Sequence, residues 1–127
     1  MNANILEMGE AYLNALNQKD IAKITSLVDP GIRCKTPLAE VFNQGDFIIT
    51  VRRMLANLKQ VNVIAKFASG NQATFIYEVI FNEPVGSIKA ASLMTLAGDK
   101  IKEMEIFFDA RPFERVYGIQ PELKKAA

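Results

Sequence analysis

Residues 61–108 read VNVIAKFASGNQATFIYEVIFNEPVGSIKAASLMTLAGDKIKEMEIFF, and this stretch decides the fold. It contains four runs rich in apolar, β-branched and aromatic residues, and short segments with Gly, Asn, Asp or Pro separate them. Such segments are typical of the turns that connect antiparallel strands. We therefore predict an antiparallel meander whose four strands cover 61–68, 74–81, 88–96 and 101–108.

Two helical patterns open the chain. Apolar residues recur at helical spacing over 4–17, and Asp20 is placed to cap a second helix over 21–28. The Asp-Pro-Gly sequence at 29–31 is expected to end that helix, because a residue before Pro disfavours the helical region and Gly accepts a left-handed turn. The helices therefore precede the sheet.

A short strand over 32–36 and a third helix over 47–58 complete the pattern. Helices followed by a run of hairpin-connected strands predict an α+β fold in which the helices pack on one face of a curved, mostly antiparallel sheet. We expect a single domain over residues 1–127, because a chain of this length can bury a hydrophobic core without disulfides or metals.

The composition excludes several kinds of chemistry. The chain has no histidine and one cysteine, Cys34, so Ser-His-Asp and Cys-His nucleophile arrangements and His-ligated metal sites are excluded. The net charge of +1 with scattered basic residues gives no sign of nucleic-acid binding. No targeting segment or membrane-spanning run stands out, and we expect a cytoplasmic protein that binds neither nucleic acid nor membrane, with no cofactor and no metal.

The strand at 74–81 is apolar on both faces. Phe75 and Tyr77 alternate with Ile76, and Glu78 is the charged residue of the second face. The apolar content of the chain also lies slightly above the roughly 45–50% of typical soluble domains. An internal cavity and a subunit interface would both use this surplus. If the helices cover one face of the sheet, a second subunit would cover the other, so we expect a homodimer formed through the sheet.

Two further segments carry a resemblance to a known family. They are YLNALNQKDIAKITSLVDPGIRCKTP at 12–37 and DKIKEMEIFFDARPFERV at 99–116. With the order of elements, they resemble the SnoaL-like branch of the nuclear transport factor 2-like superfamily, which includes ketosteroid isomerases and limonene epoxide hydrolases. The resemblance spans about 4–117. It implies a cystatin-like, conical α+β barrel in which the helices close the sheet around a deep apolar pocket.

The resemblance assigns only part of a catalytic site. In ketosteroid isomerases a helix-one tyrosine donates to the developing enolate, eight residues before an Asp, and Tyr12 and Asp20 have this spacing. The isomerase base falls on Thr36, and the second acid falls near Ser92. One aspartate of the epoxide hydrolase relay falls on Ile106, so that relay is incomplete.

Two residues remain candidates for chemistry. Tyr12 is either a hydrogen-bond donor in the pocket or a core tyrosine that packs beside its helix neighbours. Glu78 is either a base whose pKa is raised by apolar neighbours or an outer-face residue paired across strands with Lys66 or Lys89.

We predict a pocket protein that binds an apolar, carbonyl-bearing ligand. It is an isomerase, cyclase or hydratase with Tyr12 as donor and Glu78 as base, or a non-catalytic dimeric ligand-binding or scaffold domain that lost the family's carboxylates. The residues expected to contact the ligand are Thr36, Ser92, Met54, Met94, Met104, Ile106 and Phe108.

Overall fold

A computed structural model of the chain describes residues 4–117. Within this range four helices and six strands follow one another, and none of the helices is long and apolar enough to cross a membrane. In chain order the elements are α1 (Ile5–Gln18), α2 (Ile21–Leu27), β1 (Val28–Lys35), β2 (Glu40–Val41), α3 (Gln44–Leu55), β3 (Leu58–Ser69), β4 (Gln72–Phe81), β5 (Ser87–Ala97), β6 (Lys100–Phe108) and α4 (Arg111–Tyr117).

The six strands form one sheet in the order β2-β1-β6-β5-β4-β3. Strands β3 to β6 are the predicted antiparallel meander, and only β1 and β6 pair in parallel. The sheet is curved but not closed, since β2 and β3 are its two edges. The predicted fold class, helices packed on a mostly antiparallel curved sheet, is therefore confirmed.

Helix α1 lies closest to the sheet at Gly9. A Cβ atom at this position would overlap the ring of Phe75 on β4 and approach the Met94 sulfur at 3.3 Å. Asn4 caps the helix by accepting from the amide of Leu6 at 2.9 Å. The absence of a side chain at Gly9 lets the helix settle directly onto a fully buried aromatic ring.

The second helix and the strand after it depart partly from expectation. Asp20 caps α2 as predicted, accepting from the Lys23 amide at 3.0 Å. The Asp-Pro-Gly sequence at 29–31 is not a turn, because β1 already begins at Val28. The register of β1 against β6 shifts between Val28 and Arg33, and this irregularity is where a strand tolerates a proline without a ladder hydrogen bond.

The third helix begins and ends three residues earlier than its apolar spacing suggested, with Gln44 as its first residue. It ends at Leu55, and Leu58 begins β3 instead of belonging to the helix. Leu58 is buried at the end of the sheet, where it pairs with Phe81. A single apolar residue is compatible with a helix or a strand in the sequence, and the pairing of Leu58 with Phe81 places it in the strand.

The packing of Gly9 gives a test of this architecture. We expect Gly9→Ala to lower the free energy of unfolding by about 1–3 kcal/mol, because the added methyl group must displace the Phe75 ring in a filled core. Gly45→Ala is the control, since its added Cβ meets only the Asn43 side-chain oxygen at 3.4 Å on an exposed turn of α3. Urea denaturation should show a loss for the first variant and no loss for the second.

Candidate functional site

A cavity of about 470 Å³ lies between the helices and the concave face of the sheet. This volume falls in the range of typical ligand pockets. All helices except α2 and all strands contribute to its wall within the described residues. The lining residues are Tyr12, Leu16, Cys34, Thr36, Leu38, Ala39, Val41, Phe47, Thr50, Val51, Arg53, Met54, Asn57, Val61, Tyr77, Val79, Phe81, Val85, Ile88, Ala90, Ile106, Phe108 and Phe113.

Aromatic rings close one part of the cavity wall. Phe113 of α4 packs edge-on against Phe81, with ring centroids 5.5 Å apart, and against Phe108, with centroids 5.4 Å apart. The terminal helix thereby joins two strands of the sheet. This is an apolar surface against which a flat or bulky ligand could pack.

Tyr12 reaches the cavity from α1. Its ring is buried against Phe47 of α3, with centroids 6.2 Å apart. Its hydroxyl makes no hydrogen bond to residues 4–117, and no fully buried side-chain oxygen in that range lacks a partner, so the hydroxyl oxygen faces open cavity. Burial raises the pKa of Tyr12 well above its usual range, and the nearby Cys34 and Tyr77 raise it further. The group is therefore a neutral hydrogen-bond donor free to meet a ligand.

A second phenol lies nearby on β4. Tyr77 lines the cavity, and its hydroxyl shares a short hydrogen bond with the Ser92 hydroxyl on β5. Burial raises the pKa of Tyr77 to about 12, although the bond to Ser92 acts in the opposite direction. Ser92, expected to touch ligand, lies behind Tyr77 and outside the lining, where it holds the phenol in place.

Cys34 is the third protic group of the interior. It lies on β1, and burial raises the pKa of its thiol to about 12. The thiol is therefore protonated at neutral pH and is a poor nucleophile.

Thr36 lines the cavity, but its hydroxyl is engaged in a turn. It accepts from the amides of Leu38 and Ala39, both at 3.1 Å, and donates to the Ala39 carbonyl at 3.3 Å. The position that carries the base in ketosteroid isomerases therefore shapes the wall here and has no acid-base group.

Of the two placements that the sequence left open for Glu78, the structure shows the one on the outer face of the sheet, away from the pocket. Tyr77 and Val79 line the cavity, so the side chain between them points to the opposite face of the sheet. There Glu78 accepts from the Ser87 hydroxyl at 2.5 Å and lies opposite Lys89 in the strand register. Because Glu78 and Tyr12 lie on different sides of β4, Glu78 does not reach a ligand in the cavity.

The remaining expected ligand contacts divide into two groups. Met54, Ile106 and Phe108 line the cavity. Met94 and Met104 do not, because they are fully buried in the packed core and Met94 lies against Gly9. Methionines at helical or strand spacing cannot be assigned to core or cavity from the sequence alone.

The sequence did not point to three polar residues at the rim of the cavity. Thr50 and Arg53 of α3 and Asn57 after it are exposed to solvent and also line the cavity. The apolar stripe of α3 predicts the helix but does not show which of its polar positions face an opening. The periodicity of α3 alone could have placed Thr50 and Arg53 beside Met54 and Val51.

Comparisons with solved structures decide the fold family. A protein from Kribbella flavida superposes with a TM-score of 0.83 at 25% identity, covering 89% of this chain and 93% of its own. An NTF2-like protein of unknown function from Cytophaga hutchinsonii superposes with a TM-score of 0.78 at 18% identity, covering 89% and 96%. The chain has the nuclear transport factor 2-like fold.

A further neighbour is a putative ketosteroid isomerase from Kribbella flavida, with a TM-score of 0.74 and 12% identity over 83% of this chain and 77% of its own. No family model matches the sequence, and no curated protein matches it. The fold implied by the resemblance is thus confirmed.

The protonated state of Cys34 can be tested by alkylation. We expect iodoacetamide to label the native protein very slowly at pH 7–9 and faster as the pH rises towards about 12, because only the thiolate reacts and burial raises its pKa. The urea-unfolded chain should be labelled readily near pH 8.5, the usual thiol pKa. Mass spectrometry would measure the labelling, and rapid labelling of the native protein at pH 7 would contradict a protonated Cys34 thiol.

Proposed function

We propose that this chain binds an apolar, carbonyl-bearing small molecule in the cavity, with the Tyr12 hydroxyl donating a hydrogen bond to the carbonyl oxygen. The observation that carries the proposal is the Tyr12 hydroxyl, which has no hydrogen-bond partner among residues 4–117 and faces an otherwise largely apolar space of about 470 Å³. A buried donor without a protein partner is costly unless a ligand or water satisfies it.

The protonation states support an acceptor on the ligand. Burial keeps the phenols of Tyr12 and Tyr77 neutral at physiological pH, so both retain a proton to donate. Tyr77 already bonds to Ser92, whereas Tyr12 is uncommitted among the described residues. A ketone, ester or aldehyde oxygen fits this donor, because it accepts a hydrogen bond and brings no charge into an apolar interior.

The same groups favour binding over acid-base catalysis. No Asp or Glu of residues 4–117 lines the cavity, and the sequence contains no histidine. The protic groups of the interior have raised pKa values and remain protonated, so they act as donors rather than bases. Isomerase, cyclase or hydratase chemistry requires a base, and the lining described offers none.

Removal of the Tyr12 hydroxyl tests the proposal. We expect the wild-type protein to bind benzophenone more tightly than diphenylmethane, which has the same rings but no carbonyl. Tyr12→Phe should weaken benzophenone binding about fivefold, equivalent to one neutral hydrogen bond of about 1 kcal/mol. Thermal shift and isothermal titration would measure both ligands, with camphor and progesterone extending the range of ligand sizes.

Two controls make this experiment specific. Diphenylmethane binding should be the same in the wild type and in Tyr12→Phe, because the ring and its contact with Phe47 are retained. The unfolding temperature without ligand should also change little, since the hydroxyl has no partner among residues 4–117. If no ketone raises the wild-type unfolding temperature, the proposed function is wrong.

We also propose that a second copy of the chain covers the outer face of the sheet. Phe67 of β3, Ile76 of β4 and Phe107 of β6 project from this face, and Phe67 and Phe107 are 63% and 51% exposed. Lys89 and Glu105 lie on the same face with opposite charges. A patch with an apolar centre and both charges can pair with itself across a two-fold axis.

A charge placed in this patch tests the dimer. We expect light scattering to show a dimer for the wild type at micromolar concentration and a monomer for Phe107→Lys, because the ammonium group would be buried without a partner. Ile49→Lys is the control, since Ile49 is 50% exposed on α3, away from the sheet face. A wild-type monomer, or equal dissociation of both variants, would contradict the proposal.

A further inference from the structure

The cavity is electrostatically asymmetric. Its interior has only neutral donors, namely Tyr12, Tyr77 and the Cys34 thiol, which are all buried. Arg53 at the rim is the only charged residue that lines the cavity within residues 4–117. A ligand that fills the space would therefore meet a donor at its buried end and a cation where it emerges.

The Arg53 guanidinium has no counter-ion among the described residues. No carboxylate of residues 4–117 lies within 4.0 Å of it, whereas Arg33 and Arg111 in the same range both form ion pairs. Arg53 and Arg52 are adjacent in the last turn of α3, and both are exposed, but only Arg53 lines the cavity. Both arginines interact favourably with the C-terminal end of the helix, so this interaction does not explain why only Arg53 lines the cavity.

The polar groups beside Arg53 extend the same rim. The Asn57 backbone is engaged, its amide donating to the Met54 carbonyl and its carbonyl accepting from the Asn82 amide, and its side-chain amide has no partner among residues 4–117. Thr50 is already committed, because its hydroxyl donates to the Asp46 carbonyl at 3.1 Å. Arg53 and Asn57 can thus offer several N–H donors to one acceptor group at the opening.

We propose that the ligand is an amphipathic carboxylate, with its carboxylate group at Arg53, an apolar body in the cavity and an acceptor oxygen at Tyr12. This inference rests on the proposed function and adds the chemical class of the ligand. A carboxylate matches the planar guanidinium, which can donate two parallel hydrogen bonds to it. One cation balances one negative charge, whereas a phosphate dianion would remain half-neutralised at this rim.

Matched acid and ester ligands test the proposal. Ketoprofen and the smaller benzoylpropionic acid each contain a ketone, an apolar body and a carboxylate, and their methyl esters lack only the charge. We expect wild-type protein to bind each acid at least about threefold more tightly than its ester in isothermal titration, the range of a partly exposed ion pair with good geometry. Raising the salt concentration should reduce this preference, because the rim is open to solvent.

Adjacent arginine variants supply the matched comparison. Arg53→Gln should abolish the preference for the acid by weakening acid binding more than ester binding, while Arg52→Gln should leave the preference as in the wild type, although both variants lose the same charge. Unfolding temperatures without ligand should be alike for the two variants, since both sit at the same helix end.

The outcomes separate the two proposals. Equal affinity of acid and ester for the wild type, or equal loss of acid binding in both arginine variants, overturns the carboxylate assignment and leaves carbonyl binding standing. Failure of both the acids and the neutral esters to bind overturns the proposed function, and the carboxylate assignment with it.

Discussion

The close approach of α1 to the sheet at Gly9 determines how the rest of the structure is arranged. The missing side chain lets the helix rest on Phe75, at the middle of the inner face of β4. Tyr12 is one turn further along α1, on the same helix face, and at this depth its hydroxyl reaches the cavity while its ring packs on Phe47. A bulkier residue at position 9 would lift the helix and move the tyrosine away from the sheet.

The inner face of the sheet serves two purposes along its length. Near α1 it is packed solid, with Phe75, Met94 and Met104 fully buried. Towards α3 and α4 the helices stand away from it, and the space between them remains open. Because the sheet is curved and not closed, the helices fill only part of its concave side. The cavity is thus the part of the concave side that lies between the curved sheet and helices α1, α3 and α4.

The chemistry of that cavity follows from burial. Desolvation raises the pKa values of Tyr12, Cys34 and Tyr77. These groups therefore stay protonated at neutral pH and act as hydrogen-bond donors. The charge of Arg53 is kept at the rim, where water still solvates it. An apolar ligand with acceptor oxygens at its two ends meets both environments without placing a charge in the interior.

Much of the fold could be predicted from the sequence, because strand alternation, turn residues and helix caps are local signals. The meander, the Asp20 cap and the placement of Tyr12 on a buried helix face needed only neighbouring residues. The faces of the strands were also readable as alternation, which grouped Tyr77 with Phe75 and set Glu78 apart. The alternation did not show which of those faces the helices would cover.

Tertiary structure decided what depends on distant contacts. Glu78 faces away from the cavity and Ser92 lies behind Tyr77, because the helices cover the other face of β4 and the pairing of β4 with β5 fixes the neighbours. Met94 of β5 is core because α1 packs against it at Gly9, whereas Met54 of α3 lines the cavity. Helical periodicity places Arg53 near cavity-lining residues of α3, but only packing put that side of the helix at the opening. The sequence by itself determined the elements and their faces, since these depend on residues close in the chain, and only packing determined which faces enclose the open space.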